Sequence, residues 1–243
     1  SSTHIATTSD FRTNFHRYSR FYGLGPFATQ LLGLLRRFHN LTQLTFVPTR
    51  ACARELGEFG FHNLTVVGRG VDSVGFAPAH RSAELRREWR AESAPVLLMV
   101  GRVAAEKNVE LGLRAFEGAR RARPGTRMVV VGNGPARVRL AAEHPEVHFV
   151  GAQRGAALAA HYASADLFLF PSLTDTFGNV VMEALASGLP VVSFAAAAAA
   201  EHVTDGVSGR LVAPGDEAAF IAAVCSVTAR GVSLEPMRAA ALA

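Results

Sequence analysis

From Pro95 onward six short strand-like runs, 95–100, 126–131, 146–150, 166–170, 190–194 and 210–212, alternate with stretches patterned as helix. The apolar runs 95–100 and 167–170 fit strands buried on both faces, as in parallel sheets whose crossovers are helices. A strict strand–helix alternation of this kind closes into few architectures, and the doubly wound open sheet is the one expected here. In that architecture ligands bind beyond the carboxyl ends of the strands, so the loops after each run are where chemistry is sought.

The portion before Pro78 is sparser. Two strands, Gln43 to Val47 and Asn63 to Val67, flank a helix that Thr49 can cap, and a further helix is expected from about Pro26 to Phe38. Two strands cannot build a second complete sheet. The expectation is an α/β chain with one nearly complete doubly wound Rossmann-type domain, residues 78–243, joined to the C-terminal part of another, residues 1–77. The reading enters partway through a fold and stops before closing helices, as in a fragment or a truncated product.

Three loops carry the candidate chemistry. After the run ending at Phe170 comes Pro171-Ser172-Leu173-Thr174-Asp175-Thr176-Phe177-Gly178-Asn179, with Glu183 two turns into the next helix. One acid in a loop and one on a helix can each hold hydroxyls of a sugar-bearing ligand, while Gly178 admits close backbone approach and the helix start offers free N–H groups to an anion. After the run ending at Val100 comes Gly101-Arg102-Val103-Ala104-Ala105-Glu106-Lys107-Asn108. Of the 25 Lys and Arg residues only Lys107 is a lysine, and the pairing of a planar fork with a point charge suits a pyrophosphate. The alternative for this octet is a solvated turn. The third loop, Gly132-Asn133-Gly134-Pro135, reads either as strand-to-helix punctuation with Pro135 at the first helical position, or as a nucleotide contact.

Together, in this order and each behind a strand, these segments resemble the retaining nucleotide-sugar glycosyltransferases of family 4, which have two facing Rossmann domains, the GT-B fold. The resemblance runs from residue 11 to about 230 and implies transfer of a hexosyl group from a GDP- or UDP-hexose to a hydroxyl acceptor, a lipid or envelope glycan, with mannosyl and glucosyl transfer by bacterial members the nearest match. It implies that Arg102 and Lys107 stabilise the departing diphosphate, that Asp175 holds donor-sugar hydroxyls, and that Glu183 accepts hydrogen bonds from the ribose. Gly101, Gly132, Gly134, Phe177, Gly178 and Asn179 would line the donor. On the acceptor side Arg12, His16 and Arg69 stand in passages that resemble the family's acceptor loop and hinge. Two features depart from the family. Asp175 replaces the usual Glu and is one methylene shorter, and Ala195 to Ala200 offers methyl groups where relatives place polar or glycine residues.

The residues also argue against rivals. Gly132-Asn133-Gly134-Pro135-Ala136-Arg137 lacks the last glycine of a dinucleotide fingerprint. With no Asp-x-Asp triplet, no metal is expected to hold the diphosphate, and no cofactor is expected beyond the nucleotide-sugar substrate. Serine-hydrolase and zinc-protease motifs are absent. The competing reading from another class is an inactive remnant that binds nucleotide or merely folds. Cys52 and Cys225 are isolated, which favours a reducing cytoplasm, and no nucleic-acid partner is expected. The +5 balance includes clusters at Arg86-Arg87-Arg90 and Arg120-Arg121-Arg123, read as a solvated helix face, with attraction to anionic headgroups at the inner membrane face as the alternative. His161 and Tyr162 read as packing residues on an alanine-rich helix.

Overall fold

A computed structural model of the chain describes residues 5–11, 28–68, 70–172 and 178–242. They form two compact units, one made of the described residues up to Gly70 with Gly178, the other of the remainder.

The smaller unit holds β1 (Thr8–Asp10), α1 (Ala28–Asn40), β2 (Leu44–Val47), α2 (Arg50–Glu58) and β3 (Leu64–Val66), with the strands parallel in the order β1-β2-β3. The two expected strands and both helices are present, and Thr49 caps α2 by accepting from the Cys52 amide at 3.0 Å. On α1, Leu32 and Leu35 pack against Phe11, Val47, Cys52, Leu56 and Phe61, whereas Leu34 and Phe38 are exposed.

The larger unit runs α3 (Ala83–Glu88), β4 (Val96–Val100), α4 (Val109–Ala122), β5 (Arg127–Val131), α5 (Arg137–Glu143), β6 (His148–Gly151), α6 (Gly155–Ser164), β7 (Leu167–Phe170), α7 (Asn179–Ala186), β8 (Val191–Phe194), α8 (Ala197–His202), β9 (Gly209–Val212), α9 (Glu217–Thr228) and α10 (Glu235–Ala241). All six runs became strands. They form one parallel sheet in the order β6-β5-β4-β7-β8-β9. Counted from β4, this is the doubly wound order that reverses between the first and fourth strands.

Alternate residues of each strand feed two cores. Leu97, Met99, Met128, Val130, Leu169 and Phe194 face α4 and α9 through Phe116, Phe220 and Val224, while Leu98, Val129, Phe168 and Val191 face Trp89, Tyr162 and Val181. Burial on both faces is why β4, β7 and β8 read as apolar runs; each large side chain so buried contributes on the order of 2–3 kcal/mol.

Two expectations are corrected. Helix α5 starts at Arg137 with Ala136 as its cap residue, so Pro135 precedes the helix and does not occupy its first position. The Arg86 cluster is not a uniformly solvated face: Arg87 and Arg90 are exposed, but Arg86 is buried, bonding to the Ser164 and Ala94 carbonyls and pairing with Asp166 at 2.9 Å. A guanidinium leaves water only where a counter-ion and acceptors replace it, and Asp166 with two carbonyls supplies them.

Candidate functional site

The sheet order places the switch point between β4 and β7, and in open α/β sheets ligands bind beyond the carboxyl ends of the strands at such a point. The loops leaving those ends of β4 and β7 are the Gly101–Asn108 loop and the segment beginning Pro171-Ser172. They touch: Ser172 Oγ donates to the Glu106 carbonyl at 3.3 Å.

The Gly101–Asn108 loop makes one turn of 3-10 helix, Ala105–Lys107, and enters α4 through Asn108 in the left-handed conformation, φ 50°. Asn tolerates that conformation, and the turn sets Lys107 just before the first free amides of a helix of 14 residues. Arg102 is exposed, with Nη1 3.6 Å from Glu106 Oε1. Glu106 itself is 3% exposed, and its Oε1 accepts no hydrogen bond among the described residues. Arg102 thus lies beside a buried carboxylate that restrains its placement, while Lys107 is half-buried.

The third loop lies directly against the first. Val103 N donates to Asn133 O at 3.0 Å, Ala136 N to Val103 O at 3.1 Å, and Gly101 N to Val131 O at 3.0 Å. A Cβ on Gly132, whose φ is +141°, would stand 1.8 Å from the Gly101 carbonyl oxygen, and one on Gly134 would stand 2.3 Å from that of Val103. These two glycines let two loops share one layer, which accounts for them by packing alone. Beside them a cleft of about 160 Å³ is lined by Ala104, Ala105, Asn108, Val109 and Ala136 among others.

Across the switch point Gly178, φ +59°, leads into α7. Asn179 opens that helix with its Oδ1 buried and without a partner among the described residues. Glu183 is half-buried on the same helix, and its Oε2 accepts from the Tyr162 hydroxyl at 2.8 Å. Burial pushes the Glu183 carboxyl above its ordinary value, and the Tyr162 hydrogen bond works against that rise. Burial raises the Tyr162 phenol well above its usual value, reinforced by the Glu183 charge and hydrogen bond, so Tyr162 is the donor.

The larger unit therefore brings together Gly101, Arg102, Lys107, Gly132, Gly134, Asn179 and Glu183 on loops and helix starts at the carboxyl edge of one sheet. Asp175 and Phe177, with Arg12, His16 and Arg69, lie outside the described residues. Two roles at the site escaped the sequence reading. Tyr162 packs in the core as expected, and its hydroxyl in addition holds Glu183, a partner the local pattern did not name. Glu106 stood inside the quoted motif without a role. Among the described residues no group of three His, Cys, Asp or Glu side chains is placed to hold a metal, and no helix is long and apolar enough to cross a membrane.

A doubly wound parallel domain with Arg102 and Lys107 on the loop after β4 and an acid on the helix after β7 defines the class: a Rossmann-type domain of the kind found in GT-B glycosyltransferases. Comparison with known proteins makes this specific. A family model described as Glycosyl transferases group 1 matches residues 94–230. A GDP-mannose-dependent alpha-mannosyltransferase of Mycolicibacterium smegmatis is 36% identical over 190 residues, covering 78% of this chain and 49% of the relative. Among solved structures, Anabaena HepE in complex with UDP and glucose superposes with a TM-score of 0.79 at 18% identity, covering 98% of this chain and 66% of that one. A sucrose-phosphate synthase of Thermosynechococcus elongatus gives 0.81 at 21% identity, covering 97% and 61%. The chain belongs to the glycosyl transferases group 1 family, and its fold is GT-B-like. It spans about half the length of the curated relatives it matches.

Proposed function

We propose that this chain is the donor-binding half, with part of the acceptor half, of a retaining hexosyltransferase that moves a hexose from a nucleoside diphosphate sugar to a hydroxyl of a lipid or envelope glycan. The observation that carries the reading is the pair Arg102 and Lys107 on the loop after β4, at the switch point and at the head of α4. Residues 78–243 form the donor domain in this reading, and residues 1–77 belong to the acceptor side. GDP-mannose is the favoured donor because the mycobacterial and corynebacterial relatives are named for it. UDP-hexose is the other candidate, since HepE holds UDP. Relatives named for phosphatidylinositol mannosides favour a lipid acceptor, with the enzyme working peripherally at the cytoplasmic face of a membrane.

The chemistry follows from the charges. As the bond from the anomeric carbon to the diphosphate lengthens, negative charge grows on the leaving phosphate and positive charge on the sugar ring. Arg102 supplies a fork of N–H donors and Lys107 a compact charge to the diphosphate, and the first amides of α4 add their dipole. Preorganised donors of this sort are each worth roughly 2–4 kcal/mol of transition-state stabilisation. Asp175 holds sugar hydroxyls, Glu183 holds the ribose, and Asn179 Oδ1 is an acceptor awaiting a ligand donor. The acceptor oxygen bonds to the anomeric carbon on the face the diphosphate leaves, which gives retention of configuration, and its proton passes to the departing phosphate oxygen.

Calorimetric titration of the chain with GDP, UDP, GDP-mannose and UDP-glucose tests the reading. One nucleotide should bind, and Arg102→Ala and Lys107→Ala should each weaken it at least tenfold in a chain that remains folded. A folded chain that binds none of them, or binds equally well without Arg102, would refute the donor site.

A further inference from the structure

We propose that Tyr162 is a positioning residue for nucleoside recognition: its hydroxyl holds one oxygen of Glu183 so that the other is presented in a fixed direction to the ribose hydroxyls of the donor. This rests on the reading of Glu183 given above.

Tyr162 has no exposed surface, and its ring is fixed by Phe76 edge-on at 5.7 Å and by Phe168 at 5.7 Å. Phe168 belongs to β7, so the ring is seated on the strand that leads into Pro171-Ser172, beside the Gly101–Asn108 loop. A phenol buried this completely must find its partner inside the protein, and Glu183 Oε2 at 2.8 Å is that partner. A pure packing residue at this place would be phenylalanine, as at Phe168 and Phe170 beside it. The hydroxyl has two consequences for Glu183. It removes the freedom of the carboxylate to rotate about its last torsion, so less order remains to be imposed when ligand binds. It also takes one acceptor site of Oε2, which leaves Oε1 the freer oxygen for a ligand hydroxyl. The alanine-rich helix α6 thus supplies a support for a binding residue on α7, and neither helix alone would orient it.

A cycle pairing one protein substitution with one change in the ligand tests this, measured calorimetrically on the whole 243-residue chain. The ligands are GDP and 2′,3′-dideoxy-GDP, with the UDP pair run in parallel and the cycle taken on the base that binds; the proteins are wild type and Tyr162→Phe. In wild type, removing the ribose hydroxyls should weaken binding by about 30-fold, the loss of hydrogen bonds to a charged acceptor. Tyr162→Phe should weaken the ribonucleotide about tenfold and the dideoxynucleotide less than twofold. Equal weakening of both ligands would assign Tyr162 to packing and overturn the inference. A wild-type chain indifferent to the ribose hydroxyls, or one that binds neither base, would instead overturn the reading of Glu183 on which the inference rests. Should the phenylalanine variant not fold, 3-fluorotyrosine placed at position 162 keeps the shape and makes the hydroxyl a stronger donor. It should raise the preference for the ribonucleotide about twofold, and an unchanged or lowered preference would count against the proposal.

Discussion

Replacing Asp166 should uncouple the two central strands of the larger sheet at their amino ends. Its Oδ2 accepts from the Val96 amide and from Arg86 Nη1, both at 2.9 Å, and its Oδ1 accepts from Arg81 Nη2 at 3.0 Å. Val96 opens β4 and Asp166 immediately precedes β7, so one carboxylate ties the strands on either side of the switch point. Without it, Arg86, whose side chain is 9% exposed, keeps its carbonyl acceptors but loses its counter-ion. Arg238 lies 3.8 Å away and is already pulled below its ordinary value, chiefly by burial and then by neighbouring guanidinium charge, which Asp166 opposes. Breaking a buried pair from one side costs about 3–5 kcal/mol. The Arg81 contact is more than a third exposed and adds little. We therefore expect Asp166→Ala to destabilise by about 4 kcal/mol and Asp166→Asn, which keeps an acceptor for Val96, by about 2 kcal/mol. With a slope of about 2 kcal/mol/M these are drops of roughly 2 M and 1 M in the urea midpoint. Arg87→Ala, on the exposed side of α3, should move it by less than about 0.3 M. If Asp166→Ala shifted the midpoint no further than Arg87→Ala, the staple would be ornamental. If the Asn and Ala variants lost equally, the acceptor kept for Val96 would add nothing and the lost charge would carry the whole effect.

Other outcomes can be checked with simpler measurements. Gly132→Ala should cost more than about 2 kcal/mol by urea titration, because its Cβ would fall on the Gly101 carbonyl oxygen and its φ of +141° suits no other residue. Ala197, at the start of α8, holds φ +47° without being glycine. Left-handed backbone costs an alanine about 1–2 kcal/mol, against about 0.4–1 kcal/mol for glycine's extra freedom when unfolded, so Ala197→Gly should stabilise by about 0.5–1 kcal/mol and raise the thermal midpoint. Glu183 has its carboxyl pKa raised by burial, so the folded state binds a proton more tightly than the unfolded one, and stability drains as pH rises through the window above the ordinary glutamate value. Glu183→Gln should therefore raise the thermal midpoint at pH 7 and make no difference at about pH 3, where both states are protonated; a gain of equal size at both pH values would mean that desolvation is not its cause.

The central strands of the larger unit, β4, β7 and β8, were legible because they are buried on both faces and read as apolar runs. β1 was not, since Thr8-Ser9-Asp10 is polar throughout and owes its extended form to backbone pairing with Leu44 to Phe46. The loops of the candidate site could be placed behind strands from local pattern alone. What local pattern could not give was strand order, and with it the fact that the loops after β4 and β7 are neighbours. The same limit explains what the side chains concealed. Arg86 looked solvated because its counter-ion lies 80 positions away, and the hydroxyl of Tyr162, a packing residue as expected, finds its acid 21 positions away. Buried polar residues are read through their partners, and a linear pattern does not name partners.

The backbone ties between Gly101-Arg102-Val103 and Gly132-Asn133-Gly134 have a consequence for how such proteins diverge. Neither segment can take an insertion or move alone without tearing bonds from the other, so both should drift slowly in length while nearby loops vary freely. Anyone transplanting a donor preference between relatives should move the two stretches as a single cassette. Exchanging only the one with the charged residues would leave it resting on a foreign floor.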